Sequence, residues 1–138
     1  MRIVVTDFDT EVCKRLEDAL SRFTHWLPYW VNEIYIYRQP KDNGGASCRF
    51  DKRYRRMCLY VSGELVHSNI EDIEPVFAHE IAHAYNGDIC MCLDTYMPTI
   101  IKEEGTFELT RAIFMERIEE QTQDLAFLFL DKTEARDG

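Results

Sequence analysis

The sequence predicts an α+β domain in which a small, twisted, mostly antiparallel sheet packs on one apolar helix and one long C-terminal helix. Three observations predict it. Short runs rich in Val, Ile and Tyr, broken by turn formers, occupy the chain up to Ser62. A helix-like apolar stretch follows, Pro75 to Gly87, PVFAHEIAHAYNG. Beyond it, apolar residues recur from Phe107 to about Leu130 at helical spacing. At 138 residues the chain suits a single core, so residues 1–138 read as one domain.

Taken in order, Arg2 to Phe8 is a Val- and Ile-rich first strand, and Asp9 or Thr10 offers an N-cap for the helix after it. Val12, Leu16, Leu20, Phe23 and Leu27 form one stripe of that helix, which Pro28 ends. Glu33 to Gln39 alternates Ile and Tyr as a half-buried strand, and the turn formers PKDNGG predict a hairpin into Ala46 to Asp51. A basic loop and a further strand, Met57 to Ser62, complete the sheet. Ser68 and Glu71 match a capping box, but Pro75 sits badly inside a helix begun there, so the apolar helix is expected to start near Pro75. Asn86-Gly87 is expected to end it through a left-handed Gly cap. Asp88 to Gly105 reads as irregular or shortly helical, a wall or lid for a pocket. Thr106 can cap the final helix, whose Phe107, Phe114, Ile118, Leu125 and Leu128 form one apolar side while Leu109, Ile113 and Phe127 form another. Lys132 to Gly138 reads as a flexible tail.

Composition excludes several classes. No apolar run approaches the ~20 residues of a membrane span, and the start of the chain lacks the features of a signal peptide. Five cysteines, an odd set without framework spacing, fit a reduced, cytoplasmic protein. A net charge of −9 disfavours an electrostatic grip on nucleic acid. The one basic cluster, RFDKRYRR, reads as a solvated loop between strands.

The chemistry lies in HEIAH. On a helix, positions i and i+4 share a face, so His79 and His83 can offer two imidazole nitrogens to one ion. Glu80 lies about 100° around the axis, placed to act as general base towards a water in an open coordination position. A catalytic zinc site takes a third protein ligand. The metzincin pattern fails, because Gly87 comes one residue late and no histidine follows it. Downstream, Glu120 and Asp124 form an E-x-x-x-D pair on one helical face. Glu120 can bind the metal while Asp124 accepts the N–H of a ligand histidine. Leu109, Ile113 and Phe127 lie within about 20° of Glu120, which points that direction into the core. Glu116, Glu119 and Asp88 are the alternative ligands, and Tyr85, Tyr96, Arg111 and His67 are available to stabilise an oxyanion.

HEIAH followed by a helical E-x-x-x-D resembles the gluzincin branch of the zinc metallopeptidases, and the small size resembles its minimal, minigluzincin-like members. The resemblance implies a zincin-like fold and a Zn²⁺ cofactor held by His79, His83 and Glu120, with Asp124 supporting a histidine. It also implies peptide or protein substrates, cleaved by a zinc-bound water with Glu80 as base. In that family an edge strand binds the substrate backbone, and MCLYVS matches by position. The rival readings are a non-catalytic, zinc-stapled module and an SprT-like, DNA-associated protease.

Overall fold

The computed structural model describes residues 1–39 and 45–137. Residues 40–44, which carry most of the expected hairpin turn, and Gly138 lie outside the described residues. The chain is α+β. Strand β1 (Arg2–Val5) is followed by helix α1 (Thr10–Ser21), a 3-10 turn (Thr24–Trp26) and strands β2 (Glu33–Arg38), β3 (Ala46–Asp51) and β4 (Arg56–Val61). Helices α2 (Gly63–Val66), α3 (Ile70–Ala82), α4 (Gly87–Thr95), α5 (Met97–Ile100) and α6 (Glu104–Asp137) complete it.

The strand order is β1-β2-β4-β3. β1 runs parallel to β2, with Ile3 opposite Ile34, and β2 runs parallel to β4, with Tyr35 opposite Cys58. β3 and β4 are antiparallel, with Cys48 opposite Leu59. The sheet is therefore mixed rather than mostly antiparallel. The connections explain the difference. α1 lies between β1 and β2, and such a crossover returns the chain in the same direction. The hairpin is β3–β4, closed by the basic turn at Lys52 to Arg55, in which the Asp51 carboxylate accepts the N–H groups of Arg53 (3.0 Å) and Tyr54 (3.3 Å). β4, which contains the expected strand MCLYVS apart from Ser62, is inside the sheet, and β3 and β1 hold its two edges.

The Asp9 carboxylate caps α1 by accepting the Val12 N–H at 2.9 Å, and Leu16, Ala19 and Leu20 bury the expected stripe. These meet Ile34 and Ile36 of β2 and Met57, Leu59 and Val61 of β4 in one core. α3 begins at Ile70, with Asn69 as its N-cap, so Pro75 lies inside it and no Ser68–Glu71 capping box forms. An interior proline costs about 3 kcal/mol. Ile73, Phe77 and Ile81, one turn apart and wholly buried, each return about 1.5–3 kcal/mol, which outweighs the break. At its other end α3 tightens into a 3-10 turn, His83–Tyr85, and Gly87 opens α4 without a left-handed conformation. The expected glycine cap is replaced by a corner between two helices.

α6 packs chiefly on α3. The Glu103 carboxylate, rather than Thr106, closes its N-terminus by accepting the N–H groups of Gly105 (3.0 Å) and Thr106 (2.5 Å). Its buried stripe is Ile118, Thr122, Ala126, Phe129 and Thr133. Lys132 to Asp137, expected as a flexible tail, lie in the last turns of this helix, and the Trp26 indole N–H donates to Thr133 Oγ1 at 3.0 Å. No helix among the described residues is long and apolar enough to cross a membrane.

Candidate metal centre and cleft

His79 and His83 lie on one face at the C-terminal end of α3, their rings 4.9 Å apart and nearly perpendicular. The Nε2 atoms of both face the carboxylate of Glu119 on α6. Oε2 lies 3.3 Å from His79 and Oε1 lies 3.5 Å from His83. His79 Nδ1 lies 3.0 Å from Gln123 Oε1. An amide oxygen accepts only, so in the tautomer with the proton on Nδ1 this contact is a hydrogen bond and Nε2 would be the nitrogen offered to an ion lying between the ring and the carboxylate. His79, Glu80 and His83 offer ligand atoms within 4.8 Å of one another, and Glu80 is buried beside them.

The pair beside the histidines is thus Glu119 and Gln123, one residue before the expected Glu120 and Asp124. Glu120 turns outward, where Arg117 Nη1 donates to its Oε2 at 3.2 Å, and Asp124 and Glu116 are exposed. Exposure alone does not separate the two glutamates, at 49% for Glu119 and 57% for Glu120. Direction does. The face of Leu109, Ile113 and Phe127, expected to enter the core, is 64%, 53% and 55% exposed. The face that enters it is carried by Thr122 and Thr133 as much as by large apolar residues, and threonines are invisible to a reading by hydrophobicity. Small residues at Thr122 and Ala126 on α6, and at Ala78 and Ala82 on α3, were the available signal, since they permit close helix approach. The other alternative, Asp88, is an exposed partner of Lys52 at 2.5 Å.

A cleft of about 980 Å³ opens between β3 and the α3–α4 corner, with His79, Glu80 and His83 on its wall. Facing them is Cys48, whose thiol donates to the Glu80 backbone carbonyl at 3.4 Å. The strand pattern alone gave no reason to single it out. Phe50 and Trp30 form an edge-on aromatic pair further along, and the Lys52–Asp88 ion pair bridges β3–β4 to α4 beyond them. Tyr85, Tyr96, Arg111 and His67 are absent from the cleft lining. Tyr85 donates to the Trp26 carbonyl and Arg111 pairs with Asp94 at 2.8 Å.

Burial pushes the Glu80 carboxyl above its ordinary value, opposed by the Cys48 thiol and the His79 ring and reinforced by Glu119. Burial likewise lowers His83, favouring the neutral imidazole, while the Glu119 carboxylate works the other way. The Cys48 thiol is pushed far up, by burial first and then by Glu80 and Glu119, so it remains a neutral donor.

His79 and His83, with buried Glu80 beside them on the cleft wall and the Glu119 carboxylate facing both rings, are side chains that could hold a metal ion, and two imidazoles with one carboxylate are donors that suit zinc among other divalent ions. Comparison of the chain with protein-family models, with curated proteins and with solved structures gives no match in any of the three.

Proposed function

We propose that the chain is a zinc-dependent peptidase of zincin-like layout, with His79, His83 and Glu119 as metal ligands and Glu80 as general base. The observation that carries this reading is the Glu119 carboxylate, which directs one oxygen to each histidine Nε2. Bound there, zinc supplies Lewis acidity, bringing the pKa of a coordinated water towards ~7 and polarising a carbonyl. Glu80, next to His79 and buried on the cleft wall, can take a proton from the attacking water and return it to the leaving amine. Its raised proton affinity suits both halves of that transfer. Gln123 takes the part expected of Asp124, holding the His79 ring by its Nδ1–H.

The substrate strand belongs beside β3 rather than β4. The Ser62 N–H donates to the Gly45 carbonyl at 2.9 Å, and antiparallel alternation then turns the backbone groups of Ala46, Cys48 and Phe50 off the sheet edge. An extended peptide can add there as a further strand. Internal pairing of the basic turn favours a peptide over nucleic acid. Lys52 pairs with Asp88, Arg55 donates to the Trp30 carbonyl at 2.9 Å, and Arg56 donates to Glu33 at 3.3 Å. The open cleft likewise favours a catalytic site over a metal that only staples the fold.

The test is zinc content by elemental analysis together with turnover of a quenched-fluorescent peptide library. Glu80→Gln is expected to keep one zinc per chain and its fold while losing hydrolysis. Wild-type turnover by that variant would overturn the peptidase reading.

A further inference from the structure

Behind the histidines, two buried polar side chains join the corner after α3 to α6. Asn86 Nδ2 donates to Thr122 Oγ1 at 2.6 Å, and Thr122 Oγ1 in turn donates to the Ile118 carbonyl at 2.8 Å. Both residues are buried, and Thr122 is flanked on the α6 stripe by the apolar Ile118, Ala126 and Phe129. Their spacing relates them to the site. Asn86 follows His83 by three residues, and Thr122 follows Glu119 by three. Each therefore lies close to one helical turn from a proposed ligand.

Resting on the metal-site reading above, we infer that the Asn86–Thr122 hydrogen bond is a register lock: it fixes the axial and rotational setting of α6 against α3, and thereby selects Glu119 as the third ligand. Apolar packing alone sets helix register loosely, because an aliphatic stripe accommodates small slides, whereas a buried donor left without its acceptor is costly. A one-residue shift moves α6 by about 1.5 Å and turns it by about 100°, enough to remove the Glu119 carboxylate from both rings. The same shift would separate Gln123 from His79. The side-chain hydrogen bonds of Asn86 and Thr122 run to each other and to the Ile118 carbonyl rather than to either ring, so they are positioning residues that act through Glu119 and Gln123.

The test uses the full chain and zinc itself, titrated in competition with a chromophoric chelator, alongside the visible spectrum of the cobalt(II)-substituted protein, which reports ligand number and geometry. Thr122→Val keeps the side-chain shape and removes the hydroxyl; Thr122→Ser keeps the hydroxyl. Thr122→Val is expected to weaken zinc by roughly 10- to 100-fold and to change the cobalt spectrum, with Thr122→Ser close to wild type. The paired change Asn86→Leu with Thr122→Val leaves no buried donor unpaired, so it keeps the fold accessible if the single variant does not fold, and it should show the same loss. Wild-type affinity and spectrum in whichever of these variants folds would overturn the lock while leaving the metal site standing. A wild-type chain that binds no zinc would overturn both.

Discussion

Replacing Glu119 rather than Glu120 distinguishes the arrangement seen here from the one the sequence suggests. Glu119→Ala removes both carboxylate oxygens that face His79 and His83, whereas Glu120→Ala removes an exposed partner of Arg117. Even residues that only orient a ligand change metal affinity by about 10- to 100-fold, so on the proposed site the loss of Glu119 as a ligand should cost at least ~100-fold. With free zinc at ~100 times the wild-type Kd, linkage gives about 2.7 kcal/mol of stabilisation to the wild type and about 0.4 kcal/mol to a variant bound 100-fold more weakly. For a chain of 138 residues, that corresponds to a zinc-induced rise in Tm of about 8–10 °C against about 1–2 °C. Differential scanning fluorimetry with and without zinc reads the difference directly. Glu120→Ala should reproduce the wild-type rise, because a surface pair of this kind contributes about 0–1 kcal/mol and none of it to the metal. Gln123→Ala should fall between the two, and Asp124→Ala should match the wild type. A full zinc response in Glu119→Ala, or its loss in Glu120→Ala, would refute the placement of α6.

Two further outcomes concern the fold. Phe77→Ala, at a wholly buried position in α3, should lower stability by about 3–5 kcal/mol in a urea titration, and a change under ~1 kcal/mol would show that α3 does not seat its face in this core. Ending the chain after Asp131 removes Thr133, the acceptor of the Trp26 indole N–H, and should cost about 1–3 kcal/mol; an unchanged Tm would mean that the last turns of α6 are dispensable.

How far the sequence could be read depends on what each feature records. HEIAH is a local pattern, and the i, i+4 spacing suffices to bring His79 and His83 together whatever surrounds the helix. The strands were equally local, since alternation in EIYIYR survives any choice of neighbour. Their order was not, because pairing Ile34 with Ile3 on one side and Met57 on the other is decided by the crossover and by β3 taking the edge. Glu119, whose carboxylate faces both histidines, stood only among the alternatives for a related reason. A helical wheel gives relative directions but needs a correct origin, and the exposed Leu109, Ile113 and Phe127 supplied a false one. Pro75 misled in the opposite sense, since a breaker of local structure was outweighed by the burial of Ile73, Phe77 and Ile81.

The length of α6 has a dynamic consequence. Its 34 residues span about 51 Å, yet its buried positions begin only at Ile118, and the N-terminal turns meet α4 through the exposed Arg111–Asp94 pair. Amide protons in this helix should therefore exchange in two regimes, fast before residue 118 and slow after it. Glu119 stands at the boundary. An ion held there would act as a clamp on the fraying front, carrying protection from solvent several residues towards Glu104.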